Sequence, residues 1–356
     1  MNRIESLYQE WQSLQPISQE VQNKIDQKFM LEFNYNSNHI EGNTLTYGQT
    51  EMLLLFGKVV EEANMKDLEE MKASNVGLKM VKEAALDKNQ PLSEYFIRVL
   101  HQTLFREDYT VYRQLPDGTH TSYIVHAGQY KTRPNSVITI TGERFEYASL
   151  EETPALMKDL IEWYNQEEQA GTMTPIELAS LFHYRYIRIH PFEDGNGRIS
   201  RLIVNYILYR HGYPMIVVRT KDKKNYLTAL SQSDINIGKS PSEGANATLN
   251  QIEPFTEYLT NVLYNDIKAY ISIIKGKDKS IWWYNGELIT LKNQNTINLL
   301  NILQENNKIT VRDLSEKLGI NKAATQKQLK NLQEKGYIIR VGGRNGYWQV
   351  VIICTT

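Results

Sequence analysis

The run from His190 to Arg201, HPFEDGNGRISR, combines residue types that suit phosphate chemistry. A histidine accepts a proton near neutral pH, and an acid such as Asp194 can hold a magnesium ion. A glycine-rich turn that enters a helix points backbone N–H groups at an anion. Arginines three residues apart share one helix face and can bind phosphate oxygens. The run therefore predicts a phosphate site with its own proton acceptor.

Two apolar helices must position this run. One begins at Pro175 and is predicted to end near His190, because Pro191 lacks a backbone donor and disfavours helix in the residue before it. The other begins at Arg198 and ends at Gly212. A loop between two buried helices is held rigidly.

The surrounding pattern predicts a mainly α protein. Residues 1 to about 110 are mostly helical in pattern, and further helices are predicted from Glu151 and around 255–274. The β-branched run 136–141 is the best strand signal in the first half and predicts one arm of a hairpin. Residues 235–250 resemble a flexible surface loop, and Trp282 to Leu291 a connecting segment.

Composition excludes several classes of protein. Forty basic and 41 acidic residues leave a net charge of −1, so the whole chain has no strong bias toward nucleic acid or membrane. One cysteine, Cys354, excludes an intramolecular disulfide framework and a cysteine-based zinc cluster. No apolar run approaches a membrane span, and the N-terminus lacks the features of a secretory signal. We expect a soluble, cytoplasmic protein without a membrane partner.

The twelve-residue run resembles the signature of the Fic family, HPFx(D/E)GNGRxxR, and matches every fixed position. Members of that family transfer AMP from ATP onto a hydroxyl of a target protein. Residues 128–131 followed by a hairpin resemble the family's target-binding flap, and Tyr226 stands where these proteins place an aromatic near the nucleobase. The resemblance implies a helical Fic core with a β-hairpin flap.

The resemblance also implies a role for each site residue. His190 would take the proton from the attacking hydroxyl, with a pKa near 7, and Phe192 would point into the core. Asp194 would hold Mg²⁺ between the phosphates of ATP. Arg198 would contact the β- or γ-phosphate and Arg201 the γ-phosphate. The anion nest would consist of Gly195, Asn196 and Gly197, and the flap of Val137, Ile138, Thr139, Ile140, Thr141 and Gly142.

A second motif near the N-terminus, Ser37 to Gly42, matches the family's inhibitory pattern (S/T)xxxE(G/N). If Glu41 reaches Arg201, it occupies the arginine that should bind the γ-phosphate. The alternative is a local role, with Ser37 capping a helix and Gly42 ending it. In some relatives the same glutamate positions water to remove AMP, so a reverse de-AMPylation is also implied.

The C-terminal pattern of three helices and two strands predicts a winged helix. Nine basic and three acidic residues between 307 and 349 give it a net charge of +6. DNA is one predicted partner, and docking to protein is the alternative. The basic and polar side chains concerned are Lys322, Gln326, Lys327, Lys330 and Arg344. Thr310, Ser315 and Thr325 are candidate exposed hydroxyls for self-modification.

The sequence predicts four regions. They are an N-terminal helical region with the inhibitory motif (1–90), a catalytic core (91–275), a linker (276–294) and the winged helix (295–356). Partners are a target protein with an exposed hydroxyl and the chain itself, with a homodimer left open. Alternatives to an AMP transferase are a nucleotide-sensing DNA-binding regulator and a transferase with another nucleotide donor. A metallohydrolase would need His183 and His190 as ligands, which is poor ligand spacing. Kinase and P-loop motifs are missing from the sequence.

Overall fold

The computed structural model describes residues 2–114, 118–138, 144–238, 240–275, 281–284, 287–291, 293–343 and 346–354. These residues form two compact units. The first combines the residues up to Gln9 with Asp26–Ile267, and the second combines Glu10–Ile25 with the residues from Lys268 onward. Within the described ranges, no helix is both long and apolar enough to span a bilayer.

Helices dominate the structure, as the sequence predicted. In chain order they are α1 (Asn2–Ser13), α2 (Gln19–Ile40), α3 (Tyr47–Phe56), α4 (Met65–Leu86), α5 (Glu94–Phe105), α6 (Thr153–Ala170), α7 (Pro175–Ile189), α8 (Asn196–Arg210), α9 (Lys223–Ile237), α10 (Pro241–Ala245), α11 (Glu253–Lys275), α12 (Gln294–Glu305), α13 (Val311–Leu318) and α14 (Lys322–Glu334). A 3₁₀ turn, Thr220–Asp222, precedes α9.

The start of α7 is stabilised by its capping residue, Thr174. The Thr174 N–H donates to the Glu177 carboxylate at 2.8 Å, and Pro175 takes the first helical position, where its missing N–H costs nothing. Ser93 plays a similar part for α5 by accepting a hydrogen bond from the N–H of Phe96 at 3.2 Å. These caps fix where α5 and α7 start.

Helices α7 and α8 form the centre of the first unit, and α4 and α6 pack against them. Six apolar side chains of α7 and α8 are at most 1% exposed: Leu181, Phe182, Ile189, Leu202, Ile203 and Ile207. Burial of one such side chain contributes about 1.5–3 kcal/mol relative to leaving it in water. The loop that joins α7 to α8 is therefore anchored at both ends in the core.

Two antiparallel hairpins lie between α5 and α6. Strand β1 (Tyr109–Gln114) pairs with β2 (His120–Val125), and β3 (Ser136–Ile138) pairs with β4 (Arg144–Glu146). The predicted strand is confirmed for residues 136–138, while Thr139, Ile140, Thr141 and Gly142 lie outside the described residues. Sequence analysis did not predict β1 and β2, because β2 alternates mainly exposed and half-buried side chains and so lacks a strong apolar pattern.

The second unit contains a three-stranded sheet that the sequence did not predict. Strand β5 (Ile281–Tyr284) lies between β6 (Glu287–Thr290) and the last strand, β9 (Ile353–Cys354). The interpretation of Trp282 to Leu291 as a connecting segment was therefore wrong. Trp282 is fully buried in a core with Leu299, Leu300, Leu303 and Leu314, and its burial stabilises the hairpin.

The winged-helix order is present in α12, α13, α14 and the hairpin of β7 (Ile338–Val341) and β8 (Tyr347–Val350). Asn321 caps α14 by accepting from the N–H of Ala324 at 2.8 Å. Thr310 is exposed at the start of α13. Ser315 and Thr325 are 8% and 0% exposed, so the prediction that they are accessible for modification was wrong.

The segment 235–250 is not the predicted flexible surface loop. It contains the end of α9 and all of α10, and Ala247 is fully buried. Two arginines of α7 hold it: Arg188 donates to the carbonyls of Gly238 and Ser240 at 3.0 and 2.8 Å, and Arg185 donates to that of Ala247. The polar composition of this segment gave no sign that Arg185 and Arg188 would order it.

Candidate active site

His190 is the C-terminal cap of α7 and has a left-handed backbone, φ 53° and ψ 60°. Its N–H donates to the Tyr186 carbonyl at 2.9 Å. A non-glycine residue keeps a positive φ only where the surroundings require it. The imidazole stacks on the Tyr147 ring with centroids 3.8 Å apart. Backbone and stacking together fix the direction of the ring.

The His190 imidazole borders a cleft of about 210 Å³. The cleft is also lined by Tyr123, Arg133, Pro134, Asn135, Ser136, Tyr147 and Glu193. Burial, and after it the positive charge of Lys131, lowers the pKa of His190 to about 3. The expected pKa near 7 was wrong because it neglected desolvation. The ring is therefore neutral at physiological pH, which is the form that can accept a proton, and burial makes it a weaker base than a free imidazole.

Phe192 fixes the next part of the loop. Its side chain is fully buried, as predicted, and stacks on the His101 imidazole with centroids 3.9 Å apart. The Asn196 side chain bonds both backbone groups of Phe192, accepting from its N–H at 3.1 Å and donating to its carbonyl at 2.7 Å. Asn196 thus closes the loop on itself.

The Gly-Asn-Gly turn begins α8 as the sequence predicted. Gly195 has φ 79°, and a Cβ added there would collide with the Phe105 ring. The first N–H groups of α8 have no carbonyl partner within the helix, so they and the helix dipole favour an anion. A Cβ added at Gly197 would collide with the Glu41 carboxylate, so Glu41 lies directly against this turn.

The Asp194 carboxylate is 48% exposed and has three partners, two at the start of α8 and one in β1. It accepts from the Tyr109 hydroxyl at 2.6 Å and from the Gly195 N–H at 2.5 Å, and it lies 3.7 Å from Arg198. Burial acts to raise the pKa of Asp194, but the Arg198 charge and these hydrogen bonds outweigh it and lower the pKa. The carboxylate is therefore ionised.

Asp194 has the character of a magnesium ligand in a substrate-bearing site. Mg²⁺ is commonly held by one or two carboxylates, several waters and the phosphates of a substrate. The ionised, half-exposed carboxylate beside an anion-binding turn fits that arrangement. Among the described residues, no group of three or more His, Cys, Asp or Glu side chains is arranged to hold a metal alone.

Arg198 is 4% exposed at the first turn of α8. Its guanidinium lies 4.8 Å from the centroid of the Phe105 ring and 3.8 Å from the Glu70 carboxylate. With Asp194, Glu70 offsets the charge of this arginine. Arg198 is thus held beside the anion-binding turn by an aromatic ring and two acids.

Arg201 is 3% exposed and is bound by the end of α2. Its Nε donates to the Ser37 hydroxyl at 3.1 Å, and one terminal nitrogen donates to the Ser37 carbonyl at 2.9 Å and to Glu41 at 2.7 Å. Burial alone would lower the pKa of Arg201, but Glu41 and Tyr226 raise it. The predicted contact between Glu41 and Arg201 is therefore present.

The predicted inhibitory motif spans the C-terminal end of α2 and the turn that follows it. Ser37 lies in its last turn, and Glu41 follows directly in a turn closed by Gly42, which has φ 101°. The alternative in which Ser37 caps the start of a helix was wrong. A carboxylate at a helix C-terminus is unfavourable, so Arg201 is needed to stabilise Glu41 there.

Tyr226 lies in the first turn of α9 and is 3% exposed. Its hydroxyl is 2.9 Å from His183 Nε2 and also interacts with the Arg201 guanidinium. The structure therefore places Tyr226 beside Arg201, the arginine that is expected to contact the γ-phosphate. His183 bonds the Tyr226 hydroxyl, so its alternative role as a metal ligand beside His190 is not supported.

The base of the flap is tied to the loop. Lys131 donates to the Ile189 carbonyl at 3.1 Å and to the Asn135 side chain at 2.9 Å. Asn135 donates in turn to the Phe192 carbonyl at 2.9 Å. Burial lowers the pKa of Lys131 to about 8. Val137 and Ile138 belong to β3, which continues from this anchored segment.

Three supporting residues were missed by sequence analysis: His101, Tyr109 and Glu70. His101 accepts from the Gly128 N–H at 2.8 Å through Nδ1, so its Nε2 carries the proton and donates to the Asp194 carbonyl at 3.1 Å. Burial lowers the pKa of His101 to about 4, which keeps it neutral. The only available signal was a histidine on the apolar face of α5, which more often indicates a core residue.

Comparison with known proteins supports the family resemblance that the sequence motif predicted. Residues 91–208 match the Fic/DOC family, and residues 292–339 match the family described as winged helix-turn-helix DNA-binding. The crystal structure of a Fic-domain-containing signaling protein from Bacteroides thetaiotaomicron is 55% identical in sequence, with a TM-score of 0.72. The match covers 78% of this chain and 98% of that one.

Curated relatives are more distant. The chain is 28% identical to protein adenylyltransferase fic-1 of Caenorhabditis elegans over 69% of its own length and 42% of that protein. It is 26% identical to protein adenylyltransferase Fic of Nematostella vectensis over 67% of its length and 48% of that protein. The chain thus spans less than half the length of either relative.

Proposed function

Because the chain belongs to the Fic/DOC family, we propose that it is a protein adenylyltransferase. It transfers AMP from ATP to a Ser, Thr or Tyr hydroxyl of a target protein or of itself. One observation carries the proposal: neutral His190 faces a cleft, and two buried arginines and the start of α8 follow it within twelve residues. The curated relatives named protein adenylyltransferase support the same activity.

In the proposed reaction, the target hydroxyl oxygen attacks the α-phosphorus of ATP. The bond from that phosphorus to the α,β-bridging oxygen breaks, pyrophosphate leaves, and the hydroxyl proton passes to His190. A positioned general base contributes about 10²–10⁴-fold in rate. The N–H groups at the start of α8 and the guanidinium of Arg198 stabilise phosphate charge. Mg²⁺ held by Asp194 would offset the remaining charge when bound.

Self-inhibition by Glu41 is the second part of the proposal. The Glu41 carboxylate neutralises Arg201 and lies against Gly197, where negatively charged phosphates should bind. A γ-phosphate would meet both steric exclusion and like-charge repulsion at this place. ATP can bind productively only when Glu41 moves away, and an external signal would have to favour that movement.

A reverse hydrolysis at the same site is also proposed. Glu41 is 36% exposed at its side chain and lies against the anion-binding turn, so its carboxylate can take a proton from water. We expect Glu41→Gly to lose any AMP removal from a modified protein while it gains AMP transfer. Removal that continues at the parent rate in Glu41→Gly would contradict this role.

The transfer is tested with ATP labelled at the α-phosphate, in a Glu41→Gly protein with and without His190→Ala. We expect His190→Ala to reduce labelling at least about 100-fold, because the general base is lost. His120→Ala, at an exposed histidine of β2, is the matched control and should keep the Glu41→Gly rate. Labelling that survives His190→Ala contradicts the mechanism, and faster labelling with GTP, UTP or CTP would assign another donor.

A second candidate function is DNA binding by the winged helix. Helix α14 follows a turn and presents Lys322, Gln326, Lys327 and Lys330, all exposed, whereas Arg344 lies outside the described residues. Such a helix can enter the major groove and contact phosphates. This function belongs to the second unit and is compatible with AMP transfer by the first.

The DNA-binding candidate is tested by the affinity for a mixed-sequence duplex at several salt concentrations. Replacing Lys322, Lys327 and Lys330 by Gln should weaken binding and reduce the slope of log affinity against log salt by about 0.9 per lost contact. The matched control replaces Lys58, Lys72 and Lys79, which are exposed lysines of the first unit. Equal effects of the two triple variants would exclude α14 as the DNA-contacting helix.

A further inference from the structure

Arg201 has a second anchor that does not involve Glu41. The Tyr226 hydroxyl interacts with the Arg201 guanidinium, and both side chains are 3% exposed. Tyr226 belongs to α9, whereas Ser37 and Glu41 belong to the end of α2. The guanidinium is therefore held by two separate elements of the first unit.

The hydroxyl of Tyr226 is itself fixed by His183. The His183 Nε2 lies 2.9 Å from that hydroxyl, and the two rings meet edge to face with centroids 5.8 Å apart. His183 is 1% exposed on α7, so both partners of the hydrogen bond are packed in the core. Their positions cannot change without disturbing that packing.

The anchor from α9 differs from Glu41 in charge. Burial raises the pKa of Tyr226, and burial lowers the pKa of His183 to about 3, so both groups are neutral at physiological pH. Glu41 holds Arg201 and cancels its charge. Tyr226 holds the same guanidinium and leaves its positive charge available for a phosphate.

We propose that Tyr226, fixed by His183, is a positioning residue that keeps Arg201 directed at the terminal phosphate of ATP when Glu41 is displaced. The inference rests on the proposed function. It also replaces the expectation that Tyr226 contacts the nucleobase, because a ring with 3% exposure offers almost no surface to a base. A positioning role predicts that a change of Tyr226 weakens the binding of ATP more than the binding of AMP, because only ATP carries the terminal phosphate.

The test measures the dissociation constants of ATP, ADP and AMP by calorimetry with Mg²⁺, using full-length Glu41→Gly protein as the reference. Adding Tyr226→Phe should weaken ATP binding about tenfold and AMP binding less than about twofold, as expected for one weakened charge-assisted hydrogen bond. His183→Gln should produce the same pattern. Tyr184→Phe is the matched control, because it removes a buried hydroxyl that bonds Asp234 at 2.6 Å.

Equal losses for ATP, ADP and AMP would overturn the inference and favour a nucleobase contact or a general structural role. An unchanged ATP affinity in Tyr226→Phe would also overturn it. Failure of the proposed function looks different: the Glu41→Gly reference itself would then bind ATP no more tightly than AMP. In that case the binding site, and with it the positioning role, is excluded before Tyr226 is changed.

Discussion

One carboxylate oxygen of Glu41 lies 2.7 Å from a terminal nitrogen of Arg201, a residue 160 positions later in the chain. The pair joins the end of α2 to the first turns of α8. It places a negative charge where we propose that the loop from His190 binds phosphates. The contacts around this pair determine how easily Glu41 can leave.

Ser37→Ala should release the inhibition in part. The variant removes the hydroxyl that accepts from Arg201 Nε at 3.1 Å but keeps the Ser37 carbonyl contact and Glu41. A typical hydrogen bond contributes a net of about 0.5–1.5 kcal/mol, and its loss corresponds to about twofold to tenfold. We expect self-labelling with ATP to rise by that factor and to stay below the Glu41→Gly rate. Ser13→Ala, at an exposed serine, is the control, and reduced labelling in Ser37→Ala would contradict the prediction.

Lys223→Met should also release part of the inhibition. The Lys223 ammonium donates to the Ile40 carbonyl at 2.7 Å, one residue before Glu41. A cation at a helix C-terminus stabilises the last carbonyls by about 0.3–1 kcal/mol. Its loss should raise self-labelling about twofold to fivefold. Lys224→Met changes the exposed neighbour and should leave the rate at the parent value; equal rates for the two variants would exclude a role for Lys223.

Gly195→Ala and Gly171→Ala form a matched pair. Both glycines have a positive φ, 79° and 61°, so alanine costs each about 1–2 kcal/mol of backbone strain. Only at Gly195 does the added methyl group overlap the Phe105 ring, which should cost about 1–3 kcal/mol more. Urea denaturation measures the difference in free energy of unfolding. Equal destabilisation would show that the Phe105 contact does not constrain the turn.

Stability should fall as the pH drops from 6 to 5. The fully buried His101 and His183 have pKa values of about 4 and 3, below the ordinary value of 6.5. Below pH 6.5 the unfolded chain binds protons that the folded protein refuses, so each histidine lowers the free energy of unfolding by up to about 1.4 kcal/mol per pH unit. This stability is present above pH 6.5 and is lost as the pH falls toward the folded pKa values.

Urea denaturation at each pH checks that slope. His183→Gln should make the dependence shallower by the contribution of one histidine, whatever its effect on stability at pH 7. A slope that His183→Gln leaves unchanged would show that His183 is not kept neutral by the fold.

The loop from His190 to Arg201 could be predicted because its functional side chains are consecutive in the chain. Glu41 could be predicted only through the family resemblance, since nothing in local pattern connects it to Arg201. His101, Tyr109 and Glu70 reach the loop through tertiary packing alone, and the burial that lowers the pKa of His190 is equally invisible in sequence.

Elsewhere, helix periodicity predicted the long elements well, and α7 begins at the predicted Pro175 and ends next to His190. The failures concern short elements whose order depends on remote partners. Trp282 lies in a hairpin that needs β9 and the core of α12, and the segment 235–250 is ordered by Arg185 and Arg188. In each case the stabilising contact comes from a different part of the chain.

The most direct measurement compares the parent protein with Glu41→Gly, using ATP labelled at the α-phosphate and, in parallel, ATP labelled at the γ-phosphate. We expect the α-label to stay on the protein, the γ-label to be released, and Glu41→Gly to be labelled at least about tenfold faster because Arg201 becomes available to bind the γ-phosphate. Retention of the γ-label would indicate phosphate transfer and contradict AMP transfer. Labelling of Glu41→Gly no faster than the parent would contradict inhibition through Arg201.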